Sequence, residues 1–552
     1  MEMYYLDGQT FASMVKAGAA LLHSNEESVN ILNVFPVPDG DTGSNMAMTI
    51  DSGVCRIEQN ETDTALDSVS RAVAKGMLHG ARGNSGVILS QLFSGFAKAL
   101  DGRDNADART LGMALQNGVR TAYDAVVSPT EGTILTVARE SVDYATQRIT
   151  ENSTVVSFFE DLLSEMKKSL ERTPELLKIL RDGGVVDSGG AGLLYIIEGF
   201  NMVLHGQTPE NALNYISQEK KEADVDISSF TETSELTYGY CTEFLLRLQT
   251  EKKGIENFEI SQVSSKLQAL GDSVVCFKDD SVLKVHIHTK KPEKVLEFCH
   301  NFGEFLTLKI ENMSLQHSQT KDRQPKESKQ PRQKYATVAV CSGEGIIEVF
   351  KELGVNEIIN GGQTNNPSSD DFIQAFDRAN SEIIFVLPNN GNIILAARQA
   401  SAMYKKSQVV VIESKSLGDG YAAMSGLNYD AGDFSDIARS MNEAMQRVET
   451  AVITKAIRET TMNNIEVRED DYIGIVDKQI IYADKNPLEV AKEVMKLPSF
   501  QDKYAITVFS GKDTTDTESQ TMEQFLRKEC KDAEIYSVNG GQDIYRFILV
   551  AE

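Results

Sequence analysis

The sequence predicts a multidomain chain: an all-helical N-terminal domain, a small α/β middle domain and a larger α/β C-terminal domain. Three observations predict it. Up to about residue 206, apolar residues recur at helical spacing, as at Phe11, Met14 and Val15 or Leu176, Leu177 and Leu180. Between 234 and 317 the period shortens to that of strands. Beyond a polar stretch at 318–334, apolar runs of strand length alternate with helical segments.

Taken in order, residues 1–206 read as helices, with starts such as Thr173-Pro174-Glu175, where proline occupies the first helical position. Residues 207–233 are dominated by polar and charged side chains and read as a connector. In 234–317, strands are expected at Cys241 onward, at Ser273 onward and at 282–288, separated by helices over 260–270 and 292–302. Residues 318–334 have the composition of a flexible linker, which leaves the flanking domains mobile and independently folded. In 335–552, strands at 336–340, 382–387, 408–412 and 504–509 alternate with helices, a pattern of parallel strands, here in two lobes.

Composition narrows the class. The 552 residues carry a formal net charge of −26, which argues against a nucleic-acid surface or an anionic membrane as the main partner. Six cysteines are scattered without CxxC or framework spacing, so a reducing cytoplasm is expected. No basic region followed by an apolar stretch opens the chain and no apolar run reaches the ~18 residues of a membrane span, so neither signal peptide nor integral membrane segment is expected.

The densest chemistry lies in Asn33-Val34-Phe35-Pro36-Val37-Pro38-Asp39-Gly40-Asp41-Thr42-Gly43-Ser44-Asn45. Pro36 and Pro38 fix φ and exclude a continuing helix, so Asp39 and Asp41 project from a rigid turn. Carboxylate oxygens suit Mg²⁺, which keeps substrate phosphates as further ligands. The apolar helix that begins at Ser44 and Asn45 would offer its N-terminal amides to an anion. The same turn also reads as an Asp-Gly helix cap. Two further glycine loops open apolar helices, Gly80-Ala81-Arg82-Gly83-Asn84-Ser85-Gly86 and Asp187-Ser188-Gly189-Gly190-Ala191-Gly192, and both suit phosphate held by backbone N–H groups. Neither fits the Walker pattern, and no G-x-G-x-x-G follows a strand.

The words PVPDGDTGSNM, GARGNSGVILSQ, SPTEGTILTVARE and DSGGAGL, in that order, resemble the nucleotide-binding domain of the dihydroxyacetone kinase family, an all-α DhaL-like or Dak2-type fold. The order of the whole chain resembles the family of ATP-binding subunits of bacterial fatty acid kinases, with a small α/β middle domain and a DegV- or EDD-like α/β domain at 335–552. The resemblance implies ATP and a Mg²⁺ pair held by Asp39 and Asp41. Where the dihydroxyacetone kinases have a third aspartate this chain has Val34, and Asn33 beside it is the expected third contact. Nucleotide contacts are implied for Thr42, Gly43, Ser44, Asn45, Gly83, Asn84, Ser85, Gly86, Thr133, Asp187, Gly189 and Gly190, with Arg82 offsetting phosphate charge.

In the middle domain His286 and His288 alternate with Val285 and Ile287, so both imidazoles fall on one face of a strand, and Cys241 in another strand can complete a Cys-His-His set for one Zn²⁺. An exposed histidine pair is the plain alternative. The family resemblance implies a phosphotransfer role for this set, whether catalytic, as a phosphate relay or as a shaping element. Gly361-Gly362-Gln363-Thr364-Asn365-Asn366-Pro367-Ser368-Ser369-Asp370-Asp371 looks like the loop and helix start of DegV-type lipid-binding domains, and equally like a helix cap. The expected function is therefore that of an ATP-dependent kinase subunit. It would phosphorylate the carboxylate of a fatty acid presented by a separate DegV-type carrier, giving acyl phosphate for phospholipid synthesis. Residues 335–552 would serve as the dock for that carrier and the middle domain as a homodimer contact. A nucleotide-sensing scaffold is the alternative, and a glycerone kinase a weaker third reading.

Overall fold

The computed structural model describes residues 3–33, 40–58, 64–207, 240–249, 263, 266, 267, 270, 272–279, 282–312 and 332–552 other than 364, 463 and 464. The chain divides into two compact units, Met1–Gln218 with Gln330–Glu552, and Glu219–Lys329.

The helical part starts with β1 (Leu6–Asp7), α1 (Gly8–Ser24), α2 (Glu26–Ile31), α3 (Thr42–Glu58), α4 (Leu66–Gly80) and α5 (Gly83–Ala99). It continues with β2 (Asn105–Ala106), α6 (Ala108–Ala125), α7 (Ile134–Gln147), α8 (Val155–Leu176), α9 (Lys178–Gly183) and α10 (Ser188–Leu204). Several starts are capped locally: Asp7 accepts from Thr10 N, Asp107 from Thr110 N and Asp187 from Gly190 N, while Thr154 and Ser157 form a reciprocal capping box. From α3 to α8 each helix packs on the next, and α10 closes the bundle against α1 and α8. Gly18 and Gly199 let α1 and α10 approach closely, since a Cβ on Gly199 would lie 2.6 Å from Gly18 Cα.

Inside the bundle, the Phe200 ring meets Phe11, Phe93 and Phe159 with centroids 6.3, 6.5 and 6.2 Å away, all edge-on. Pro174 departs from the sequence expectation. It lies inside α8 rather than opening a helix. The carbonyl of Leu170 that its missing N–H leaves unpaired accepts instead from Thr173 Oγ1 at 2.7 Å.

The second unit is an antiparallel sheet of β3 (Tyr240–Leu248), β4 (Asp272–Asp279), β5 (Val282–Thr289) and β6 (Gly303–Asn312), in the order β4-β5-β3-β6. The helix Pro292–His300 connects β5 to β6. Phe244, Leu246, Val285, Ile287, Val295 and Cys299 form its core. Of the helix expected over 260–270, Val263 and Leu267 join that core and most of the rest lies outside the described residues.

The C-terminal part has two lobes. β7 (Gln333–Cys341), β8 (Glu357–Asn360), β9 (Ser381–Leu387) and β10 (Gln408–Val411) form a parallel sheet in the order β10-β9-β7-β8. The second sheet uses β11 (Glu449–Lys455), β14 (Tyr472–Val476), β15 (Gln479–Asp484), β16 (Ala505–Ser510), β17 (Glu534–Asn539) and β18 (Tyr545–Ala551) in the order β15-β14-β11-β18-β16-β17. The hairpin β12 (Thr460–Met462) and β13 (Ile465–Val467) stands apart. Here the expectation of parallel strands fails, because only β16 and β17 run parallel in the second sheet. For β14 and β15 the cause is local: they are joined by Asp477 and Lys478, both at positive φ, a two-residue turn that can only connect antiparallel strands.

The C-terminal part is also not an independent neighbour of the helical part. Ala81 and Val87 are buried in one core with Val338, Val340, Phe372 and Phe376, and Leu180 is buried with Ala456, Met462 and Ile473. These apolar contacts join the C-terminal part to the helices, and most of the stretch expected to be a linker, 318–331, lies outside the described residues.

Removing the ring at the centre of the bundle tests this packing. Phe200→Ala should destabilise the protein by about 3–5 kcal/mol, seen as a lower urea midpoint by circular dichroism, whereas an exposed change such as Lys98→Ala should leave the midpoint near wild type.

Candidate active site

Packing each helix antiparallel to the next brings every second N-terminus to the same end of the bundle. Four starts meet there, those of α3, α5, α7 and α10. Thr42 Oγ1 and Ser188 Oγ are 3.3 Å apart, joining α3 to α10. The α10 start also lies against that of α7, since a Cβ on Gly189 would be 3.2 Å from Ile134 Cβ. Gly83, at φ +58°, opens α5 against Asn45, and a Cβ there would lie 2.6 Å from Asn45 Nδ2. A side chain there would force Asn45 to move, and the left-handed backbone favours glycine. The converging helix dipoles make this end attractive to an anion.

Some of the amides at this end are already used. Asn30 Oδ1 accepts from Gly43 N at 2.7 Å and from Ser44 N at 3.3 Å, and Asn30 Nδ2 donates to Ser44 Oγ. Ser44 Oγ in turn donates to Glu26. The anion that the α3 start was expected to bind through Gly43 and Ser44 therefore meets a side-chain cap, supplied by Asn30 from the preceding helix. Nothing in the spacing of Asn30 announces that role. Burial pushes the Asp187 carboxyl up to about 6, partly offset by the nearby amides of Gly190, which donates to it at 2.7 Å, and Ile134. Thr133 caps α7 only by backbone position, its hydroxyl donating to Thr130 O at 2.8 Å.

Asp41 stands at the mouth of this end, and its carboxylate accepts from Asn366 Nδ2 of the C-terminal part. Arg82, expected to face phosphate, donates from Nη1 to the carbonyl of that same Asn366 at 2.7 Å and lies 3.5 Å from Asp371. Around it Ser369 N donates to Ala81 O at 3.2 Å, and His79 Nδ1 lies 3.0 Å from Asp370. Asn84 Nδ2 reaches Asn392 Oδ1 at 3.4 Å. Residues 366–371, the end of the loop read from sequence as a docking element, are thus seated on the glycine loop of α5. Asn33 is held from the same side: Arg458 donates to the carbonyls of Ile31 and Asn33. Asp39 lies outside the described residues, as does Val34.

A cleft of about 1060 Å³ runs between the two lobes of the C-terminal part, with Asn33 at its edge and Gln363, Asn389, Asn390, Lys415 and Gln542 among its walls. Sequence reading did not anticipate a cavity there. In the other unit the strand register sets Cys241 opposite His288 and Glu243 opposite His286. The side chains of Cys241, His286 and His288 lie outside what is described. Among the described residues no cluster of three His, Cys, Asp or Glu side chains is arranged to hold a metal, and no helix is long and apolar enough to cross a membrane.

Behind the α3 start, His23 joins Asp51 at 2.9 Å and Glu26 at 3.4 Å. Burial works against its charge, but the hydrogen bonds to Asp51 and Glu26 prevail and raise its pKa from 6.5 to about 10. A raised histidine pKa stabilises the fold fully below the unfolded value and loses that contribution as pH rises through the folded one. The stability gap between wild type and His23→Gln should therefore be largest below pH 6.5, on the order of 3 kcal/mol, and shrink steadily toward pH 10 in urea titrations. A gap that is flat across this range would contradict a charged His23.

Three family models match the chain in order: the DAK2 domain over residues 36–202, the FakA-like middle domain of fatty acid kinase over 237–320 and the FakA-like C-terminal domain of fatty acid kinase over 336–552. Protein YloV of Bacillus subtilis (strain 168) is 39% identical over 100% of both chains. An uncharacterized protein of Staphylococcus aureus (strain USA300) is 35% identical over 99% of both. A solved dihydroxyacetone kinase from C. freundii, in complex with AMP-PNP and Mg²⁺, is 20% identical over 36% of this chain and 35% of its own, with a TM-score of 0.29. With full-length identity at this level and all three models in sequence, the chain belongs to the FakA-like family of fatty acid kinase proteins.

Proposed function

We propose that this chain is the ATP-dependent phosphotransferase component of a fatty acid kinase, working on a fatty acid presented by a separate DegV-type carrier. The single observation that carries the reading is the convergence of four helix N-termini beside Asp41 in a chain that matches FakA-like fatty acid kinase models in its middle and C-terminal parts. The donors gathered there are oxygens, from Asp41, Thr42 and Ser188, and such a set fits Mg²⁺; the resemblance in sequence adds Asp39 and Asn33 to it. Mg²⁺ bound with ATP supplies charge compensation for the phosphates. The chain itself contributes position and dipoles. A carboxylate oxygen of the acceptor forms the new bond to the γ-phosphorus as the bond to ADP breaks, giving acyl phosphate. An ionised carboxylate needs no general base, which suits a site built from amides and carboxylates.

The reading extends to the second unit. The pairing of Cys241 with His288 supports one Zn²⁺ held by Cys241, His286 and His288 in phosphotransfer. Leu306, Leu308 and Ile310 remain 51, 49 and 41% exposed on the edge strand β6, which supports a homodimer contact there. A cytoplasmic setting agrees with the scattered cysteines.

Purified protein incubated with ATP, Mg²⁺, a fatty acid and a DegV-type carrier should form acyl phosphate, trapped as hydroxamate, and none without the carrier. Asp41→Ala should lower turnover by at least about 100-fold, the scale of one lost charge-stabilising group. Product formed at wild-type rate by this variant would remove Asp41 from the site. Fresh protein should also contain about one zinc per chain, and His288→Ala should lower both zinc content and turnover while nucleotide affinity holds; metal-free protein of full activity would contradict the zinc reading.

A further inference from the structure

We infer that Asn366, from the C-terminal part, completes the Mg²⁺–nucleotide site of the helical part as a positioning residue, so that two domains of one chain build one phosphate site. This rests on the phosphotransferase reading above. Asn366 is only 1% exposed. Its Nδ2 donates to the Asp41 carboxylate, which sets the orientation of that carboxylate. Its Oδ1 is buried and has no hydrogen-bond partner among the described residues. An unpaired buried amide oxygen costs stability, on general grounds, unless something binds it. Because Oδ1 shares a carbon with the nitrogen bound to Asp41, it sits beside the oxygens expected to face the metal, and a carboxamide oxygen is a suitable partner for a hard cation or for a water on it.

The surroundings fix Asn366 in that position. Arg82 Nη1 holds its carbonyl at 2.7 Å, and Arg82 is itself anchored by Asp371 at 3.5 Å. Pro367 follows it and restricts its backbone to extended conformations. Ser368 then caps the helix Ser369–Ala379 in a capping box with Asp371, so the loop is tied to a rigid element on its C-terminal side. Arg82 thus serves by locking the loop that carries Asn366, with its guanidinium committed across the domain boundary.

The test compares the affinity of a fluorescent ATP analogue in Mg²⁺ and in EDTA for the full-length protein and three variants. Asn366→Ala should weaken binding about tenfold in Mg²⁺ and leave binding in EDTA unchanged. His79→Ala, which breaks the neighbouring contact to Asp370 of the same loop, should change neither. Asn366→Asp places a second carboxylate against Asp41, so its melting temperature should be lower than wild type without metal and should rise more than wild type on addition of Mg²⁺ alone. Equal losses in Mg²⁺ and EDTA, an unchanged or tighter Mg²⁺ affinity for Asn366→Ala, or a matching loss in His79→Ala would overturn the assignment and leave Asn366 a domain-boundary contact. Wild-type protein that binds no nucleotide in Mg²⁺ would overturn the phosphotransferase reading and this inference with it.

Discussion

The structure of the candidate site depends on one contact, the carboxamide of Asn366 against the carboxylate of Asp41, made between residues 325 positions apart. A helical bundle with several N-termini at one end attracts anions, but that end opens to water. Here a loop from the parallel sheet of the C-terminal part lies against the starts of α3 and α5. Burying polar groups this way is favourable only if each finds a partner. Arg82, Asp371, Ser369 N, Ala81 O, His79 and Asp370 supply most of them to each other. Two buried oxygens at this boundary are left over among the described residues, those of Asn84 and Asn366, and the Asn366 oxygen is the one on the carboxamide bound to Asp41.

Apolar contact makes that polar boundary possible. Ala81 and Val87 flank the glycine loop of α5 and are buried among Val338, Val340 and Phe372, and a second buried cluster joins Leu180 to β12, β13 and β14. Contact at two places resists rotation about either one. The same arrangement holds Asn33 through Arg458, whose burial weighs against its own charge and whose guanidinium donates to two carbonyls. Gly43 is therefore held by Asn30, and Asn33 by the C-terminal part.

Much of this was legible in the sequence, and what was not has a physical reason. Helical periodicity and the glycine loops at Gly83 and Gly189 marked the bundle and the ends of α5 and α10, because those signals are local. Pro174 misled because a proline at a first helical position and one tolerated late in a helix look alike until the Thr173 hydroxyl is seen to serve Leu170. The second C-terminal sheet was misread because alternation of strands and helices says nothing about hairpins, and the turn at Asp477 and Lys478 lacks the usual glycine. Asn30, Asn366 and Arg458 act across 13, 325 and 425 positions, and no single-sequence pattern reports such pairs.

The most direct test of a two-domain phosphate site is amide hydrogen exchange on the full-length protein, with and without Mg²⁺ and ATP. The account predicts that Mg²⁺ and ATP together slow exchange in two separate stretches at once, the helix starts around 42–45 and 83–86 and the C-terminal loop 366–371, with neither component alone sufficient. Protection confined to the helical part, or faster exchange in 366–371 on nucleotide binding, would contradict it.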